Sequence, residues 1–128
     1  MPQLITDICR ELNRIREKKL PIQCGNTVIL LHPEKIIYIE ALRKKQLIHS
    51  EQGTFETQSS FQKIMEQLNA YSFVQSHKSF FVNCRYILSI NRTYLELEDH
   101  TQLPIGRSKL PNVKNAFQLY LIEKQFHD

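Results

Sequence analysis

The chain has 128 residues, a length sufficient for one globular domain but too short for a second, catalytic one. Of these residues 41% are hydrophobic and 23% are charged, which is typical of globular proteins. Its longest apolar stretches, such as residues 28–31, exclude a transmembrane helix, and its amino end lacks a secretory signal, so we expect a cytoplasmic protein with no membrane partner. The formal net charge of +4 favours an anionic partner such as nucleic acid.

The first predicted element is an amphipathic helix at the amino end. Its apolar residues recur every three or four positions, as on one face of a helix: Leu4, Ile8, Leu12 and Ile15. We therefore divide the chain into an N-terminal helix or linker, residues 1-20, and a folded domain, residues 21-128. The sequence leaves open whether the apolar stripe docks on the domain, pairs with a second copy, or continues a linker from an upstream domain.

Beyond Gly25 the sequence predicts mainly strands, because short runs of β-branched and apolar residues are separated by turn residues. The runs are 27–31, 36–40, 47–50, 54–57, 73–74, 79–82, 86–90, 93–98 and 102–105. Gln52 and Gly53 form a short turn of the kind that joins antiparallel strands. Since there is no regular alternation of strands and helices, we expect a mainly β fold of antiparallel strands.

Two further helices interrupt and close the strand pattern. A short internal helix is predicted from apolar residues at helical spacing: Phe61, Ile64, Met65 and Leu68. We expect Ser59 to cap it, with Gln62 as the reciprocal partner. A C-terminal helix is predicted after Pro111 from a second apolar stripe: Val113, Ala116, Phe117, Tyr120 and Leu121.

Sequence signals of catalysis and of metal binding are missing. The chain has no Gly-x-Ser-x-Gly turn and no clustered glycines, and its histidines fall outside the usual metal-ligand spacings. The three cysteines are widely spaced and read as reduced thiols, with Cys84 a small core residue. Acidic residues at 96, 98 and 99 read as solvated carboxylates at a strand end. We expect no enzyme activity, no metal and no cofactor.

Three loops concentrate basic and hydrogen-bonding side chains suited to phosphates and base edges. In chain order they hold Arg43, Lys44 and Lys45, then Ser76, His77, Lys78 and Ser79, then Arg107, Ser108 and Lys109. We place the second group on the lead-in to the strand at 80–83, and we expect Ser108 to cap the C-terminal helix.

Arg107 is the strongest single candidate for reading bases, because a guanidinium can fork onto guanine O6 and N7 whereas lysine supplies a point charge. Each loop also has a purely structural explanation. Residues 43–45 could be a solvated hairpin tip, His77 a structural histidine, and Arg107 one half of a surface ion pair.

Three blocks of sequence surround these loops in a fixed order. They are Ile36-Ile37-Tyr38-Ile39-Glu40-Ala41, the segment from Phe73 to Asn83 followed by Tyr86-Ile87 and Ile90, and Leu103-Pro104-Ile105-Gly106-Arg107. From about Pro21 to Leu121 they resemble the LytTR DNA-binding family, whose pattern is roughly I-x-Y-I-E-A, F-x-x-x-H-x-S-x-x-V-N and I-P-x-S-R. Gly106 departs from it, since the family usually has a small hydroxyl residue there. Asn83 matches the pattern and could also simply hold the turn before Tyr86.

The resemblance implies an elongated stack of small antiparallel sheets with one short helix, which binds double-stranded DNA through loops rather than a recognition helix. It implies base contacts from residues 43–45, Lys78 and Arg107, and a role for His77. We expect phosphate contacts from Lys78, Ser79, Ser108 and Lys109. Family members are typically output domains of bacterial response regulators, so we expect promoter repeats as targets and two copies of the domain, a homodimer, on the DNA.

No acidic cluster of a receiver domain is visible in the sequence, so we expect the switch to come from elsewhere. Either the chain is an output domain detached from an upstream receiver or sensor, or it is a short regulator that dimerises or answers to a partner. A functional alternative is a non-catalytic protein-interaction or accessory domain whose basic loops bind an acidic protein surface. Salt-dependent binding to DNA distinguishes the two.

Overall fold

The structure is a computed structural model that describes residues 19–127. The amphipathic helix predicted near the amino end lies outside these residues. Within them the chain is mostly β, and neither of its two α-helices is long and apolar enough to cross a membrane.

The elements follow one another with short connections. The strands are β1 (Leu20–Cys24), β2 (Thr27–Leu31), β3 (Ile36–Ala41), β4 (Gln46–Ser50), β5 (Gly53–Thr57), β6 (Phe73–His77), β7 (Phe80–Asn83), β8 (Ile87–Ile90), β9 (Tyr94–Leu97) and β10 (Gln102–Pro104). The helices are α1 (Phe61–Gln67) and α2 (Leu110–His127). Short 3-10 turns occupy Pro33–Lys35, Cys84–Tyr86 and Arg107–Lys109.

The strands form small sheets in which every pair is antiparallel. One is the β1–β2 hairpin, the largest has the order β5-β4-β3-β7-β6, and the last has the order β10-β9-β8. The expected mainly β fold of small antiparallel sheets, with a short internal helix and a C-terminal helix, is therefore confirmed.

The five-stranded sheet lies between two hydrophobic cores. Successive side chains of a strand point to opposite faces, and Phe81 and Val82 on β7 accordingly join different cores. The Phe81 core includes residues of the β1–β2 hairpin and Ile64 of α1. The Val82 core includes residues of the three-stranded sheet and Val113 of α2. The result is a stack of layers with the large sheet in the middle.

Strand β1 was not predicted from the sequence, because Pro21 reads as the end of a helix. Proline cannot donate a hydrogen bond and is tolerated on edge strands. β1 pairs only with β2, with Pro21 opposite Leu30, so the missing donor costs the sheet nothing. The tight turn at Gly25 requires a positive φ of 61°, which glycine adopts readily.

The predicted cap of α1 is wrong by one residue. The N-cap is Ser60, whose hydroxyl accepts a 3.1 Å hydrogen bond from the Lys63 backbone N–H. Ser59 lies before the helix, where its carbonyl accepts a hydrogen bond from the Gln46 amide. Gln62 therefore has no reciprocal role at the cap, and its side chain bonds to Glu66 one turn later.

The boundaries near residue 77 also differ from the prediction. Ser76 and His77 end β6 instead of leading into β7, and Lys78 and Ser79 form the turn between the two strands. The pairing shifts register between Gln75 and His77, an irregularity that lengthens β6 through polar residues. The sequence suggested a loop because residues 76–79 are polar, and it does not reveal that Ser76 is buried.

The C-terminal helix is confirmed and its inner face is largely the predicted one. Val113 is fully buried, and Ala116, Phe117 and Tyr120 pack against the same core. Leu121 was assigned to this face but is 43% exposed, because it lies at the margin of the stripe formed by the other residues.

Candidate nucleic-acid interface

Two backbone hydrogen bonds bring the three predicted loops to one edge of the molecule. The N–H of Ala41, at the end of β3, donates to the carbonyl of Ser79 at 2.8 Å. The N–H of Gly106 donates to the carbonyl of Ser76, also at 2.8 Å. The loop after β3 and the link after β10 therefore flank the β6–β7 turn.

In the first loop, residues 42–45, two cations are available to a partner and one is engaged. The Leu42 N–H closes the turn by donating to the Lys45 carbonyl at 2.9 Å. Arg43 and Lys44 are exposed. The Lys45 ammonium lies 2.9 Å from a carboxylate oxygen of Glu56 on β5. Exposed ion pairs contribute only about 0–1 kcal/mol, so Lys45 can exchange Glu56 for another anion at little cost.

In the second loop, His77 holds the turn that carries Lys78. The His77 Nδ1 accepts a 3.2 Å hydrogen bond from the Ser79 backbone N–H. In the neutral ring this places the proton on Nε2, which can donate to an outside group. Lys78 is exposed at the tip and Ser79 is half-buried. His77 therefore has a structural role through its Nδ1, and its Nε2 can still bind a ligand.

The third loop joins β10 to α2 through a 3-10 turn. Gly106 is the N-cap of that turn, with φ −67° and ψ 145°, and its carbonyl accepts from the Lys109 N–H at 2.9 Å. Arg107 and Ser108 are exposed, while the Lys109 ammonium lies 3.4 Å from the Gln75 amide oxygen. Ser108 does not cap α2 as predicted. It lies inside the 3-10 turn that directly precedes the helix, whereas an N-cap residue has non-helical backbone angles.

Asn83 matches the family pattern but lies away from these loops, at the other end of β7. It is 4% exposed, and its amide donates to the carbonyl of Ile36 at 2.9 Å. Its side-chain oxygen accepts from the Arg85 backbone N–H at 3.1 Å. Asn83 thus ties β7 to the start of β3 and holds the turn before Tyr86, as the structural interpretation predicted.

Charges are segregated between the connections at the two ends of the strands. We call the side formed by residues 42–45, 78–79, 91–93 and 105–109 the basic edge. It carries seven cations and no carboxylate: Arg43, Lys44, Lys45, Lys78, Arg92, Arg107 and Lys109. The opposite edge is formed by residues 33–35, 51–52, 84–86 and 98–100. It carries four carboxylates and two cations: Glu34, Glu51, Glu98, Asp99, Lys35 and Arg85.

Acidic groups near the opposite edge are held in their ionised form. The Thr101 backbone N–H lowers the pKa of the Asp99 carboxyl, to which it donates at 3.0 Å. A hydrogen bond from His100 lowers the pKa of Glu96. General acids need the reverse shift near neutral pH. The interpretation of these residues as solvated carboxylates therefore fits.

Buried titratable groups lie in the core and have raised pKa values. Cys84 is buried in the Val82 core, as predicted, and burial raises the pKa of its thiol to about 11. Burial, and next the Glu51 carboxylate, raise the pKa of Tyr86 to about 12. The Tyr86 hydroxyl donates to the Glu34 carbonyl at 3.2 Å.

Sequence reasoning missed two features near the basic edge. Arg92, in the β8–β9 turn, drew no attention because it stands alone in the sequence. The second is a group of contacts around Glu40, whose carboxylate lies 3.3 Å from the His49 ring on β4. The His49 ring stacks on Tyr38 with ring centres 4.2 Å apart. These cross-strand contacts fix β3 and β4 beneath the first loop, and strand pairing was needed to find them.

Comparison with known proteins gives a family and relatives. The family model of the LytTr DNA-binding domain matches residues 26–118. The sensory transduction protein LytT of Bacillus cereus is 24% identical over 119 residues, which cover 89% of this chain and 46% of that protein. The transcriptional regulatory protein LytR of Staphylococcus aureus is 23% identical over 117 residues, covering 88% of this chain and 48% of that protein.

A solved structure supports the same fold. The LytTr DNA-binding domain of a Bacillus cereus protein superimposes with a TM-score of 0.66 and 24% identity, covering 77% of this chain and 94% of that one. The chain spans less than half the length of the relatives LytT and LytR. Since the family model covers most of its residues, the chain belongs to the LytTr DNA-binding domain family.

Proposed function

We propose that this chain is a sequence-specific DNA-binding module of a transcription regulator and that it contacts DNA through the loops of the basic edge. The observation that carries the proposal is the pair of hydrogen bonds Ala41–Ser79 and Gly106–Ser76. They fix three cationic loops side by side, and the loop residues themselves include no carboxylate. DNA presents phosphates along such a line.

The loops divide the work of binding according to their chemistry. Arg107 and residues 43–45 read base edges in neighbouring major grooves, because arginine can bond guanine at two atoms. Lys78, Ser79, Ser108 and Lys109 bind phosphates and fix the register. His77 orders the β6–β7 turn through Nδ1 and offers its Nε2 to a phosphate.

Binding of this kind depends strongly on salt. Each phosphate contact releases counterions and contributes about −0.9 to the slope of log affinity against log salt. About six contacts give a slope near −5. A protein-interaction domain that used the same loops would show no such slope with DNA.

The relatives suggest how the module is used. Their names describe a sensory transduction protein and a transcriptional regulatory protein, and each is about twice as long as the matched region. We propose that residues 21-128 form the DNA-binding unit in the cytoplasm and that residues 1-20 connect it to an upstream receiver or sensor or to a second copy. Two copies on repeated half-sites multiply the affinity of one small domain.

Selection from a randomised duplex pool tests this function. Wild type, Arg107→Ala and Arg85→Ala are each used to enrich duplexes at about 0.15 M salt, a physiological ionic strength. We expect wild type and Arg85→Ala to enrich the same repeated motif and Arg107→Ala to lose preference at one base pair. If no sequence is enriched by wild type, as the chain alone or in an enforced dimer, the proposal is wrong.

A further inference from the structure

We infer that the β8–β9 turn is a fourth DNA-contacting loop, in which Arg92 binds a backbone phosphate beyond the position of Arg107. This inference rests on the proposed function and adds a contact to the same interface. It depends on a hydrogen bond between Thr93 of this turn and the link that carries Arg107.

The turn is fixed directly beside the third loop. The Ile105 N–H donates to the carbonyl of Thr93 at 2.9 Å, and the next residue, Gly106, donates to Ser76. A Cα step is about 3.8 Å and paired strands lie about 5.5 Å apart, so the Cα atoms of Arg92 and Arg107 are at most about 17 Å apart. That distance corresponds to about five base steps of DNA.

The turn has a defined shape that presents its arginine. The Asn91 N–H donates to the Tyr94 carbonyl at 2.8 Å and closes the turn. The Asn91 side-chain oxygen accepts from the Arg92 N–H at 2.7 Å. Asn91, Arg92 and Thr93 are all exposed. The asparagine is therefore used within the turn, and the arginine is the group that projects to a partner.

The charge around Arg92 suits an anion. Within residues 19–127 no carboxylate lies within ion-pair distance of its guanidinium. The acids that follow the turn along the same sheet are Glu96 in β9, four residues or about 13 Å from Arg92, and Glu98 and Asp99 beyond the far end of that strand. Arg85 differs in both respects, since it occupies the opposite edge and its guanidinium lies 4.0 Å from Glu34.

A phosphate contact predicts a specific change in salt dependence. The affinity of the full chain for a mixed-sequence duplex of about 30 base pairs, three helical turns, is measured over a salt series. Arg92→Gln is expected to reduce the magnitude of the slope by about 0.9 and to weaken binding about three- to six-fold near 0.15 M salt. Arg92→Lys keeps the charge and should retain the wild-type slope.

Arg85→Gln is the matched control, because it removes the same charge from the opposite edge. If Arg92→Gln and Arg85→Gln have the same slope while Arg107→Ala weakens binding, the fourth loop is wrong and the proposed function stands. If wild type shows no salt-dependent DNA binding, both the fourth loop and the proposed function are wrong. Thermal unfolding of each variant verifies that the compared proteins are folded.

Discussion

The backbone N–H of Gly106 donates a 2.8 Å hydrogen bond to the carbonyl of Ser76. This bond attaches the segment carrying Arg107 to the end of β6, next to the turn that carries Lys78. Loops are usually mobile, and here a loop is held in register by a strand of another sheet. Groups from different sheets can thus face one ligand in a fixed arrangement.

Gly106→Ser should tighten DNA binding without loss of stability. Gly106 has a negative φ, and a Cβ there would meet its nearest atoms, Lys109 Cγ and the Ser76 carbonyl oxygen, at 3.6 and 3.9 Å. A serine at this position supplies the small hydroxyl residue that the resemblance implies, and it adds a donor worth about 0.5–1.5 kcal/mol. Chemical denaturation and duplex affinity measure the two effects.

Gly25→Ser is the control for that substitution. A Cβ on Gly25 would meet no atom within 4 Å, but its φ is +61°. We expect a loss of about 1 kcal/mol in the free energy of unfolding from backbone strain alone. An equal loss in Gly106→Ser would show that the link at Gly106 cannot take a side chain.

Glu56→Gln should strengthen DNA binding. Lys45 is held 2.9 Å from the Glu56 carboxylate, and the substitution frees the ammonium while removing a negative charge near the basic edge. We expect affinity to rise by about 0.5–1 kcal/mol, the value of an exposed ion pair. Glu98→Gln, on the opposite edge, should leave affinity nearly unchanged. Weaker binding of Glu56→Gln would mean that the ion pair positions Lys45 for DNA.

Asn83→Ala should destabilise the fold without removing a DNA contact. It leaves the Ile36 carbonyl and the Arg85 N–H without their side-chain partners, and each unsatisfied buried group costs about 1–3 kcal/mol. Asn115→Ala, an exposed change on α2, should alter stability by less than about 0.5 kcal/mol. If folded Asn83→Ala lost sequence preference while its stability was unchanged, Asn83 would belong to the interface.

The free energy of unfolding should fall as pH rises from about 10 to about 12. The pKa of Tyr86 is raised from 10.0 to about 12 by burial and by Glu51. Ionisation is thus easier in the unfolded chain. The stabilising effect is complete below pH 10 and is lost progressively as the pH rises through 12. Denaturation across this range should show a smaller decline in Tyr86→Phe than in Tyr71→Phe.

Local patterns in the sequence predicted most of the fold. Leu95 and Leu97 alternate with polar neighbours, and this period of two placed β9 correctly. The order of the sheets could not be predicted, because it depends on pairings such as β3 with β7, far apart in the chain. β1 was missed because Pro21 is acceptable only on an edge, which is a property of the assembled sheet.

The candidate site was predictable in its residues but not in its arrangement. The basic residues of the three loops are visible as short runs in the sequence. Arg92 is a single cation, and only the hydrogen bond between Thr93 and Ile105 places it beside Arg107. The engagement of Lys45 by Glu56 likewise required the pairing of β4 with β5.

Backbone amide chemical shifts in the presence of DNA test the central claim most directly. The duplex selected by the wild-type chain is titrated into labelled protein, and the N–H signals of residues 19–127 are followed. We predict the largest changes at 42–45, 77–79, 91–93 and 105–109, and small ones at 33–35, 51–52, 84–86 and 98–100. Changes concentrated on the opposite edge or on the exposed face of α2 would contradict a DNA interface built from the basic edge.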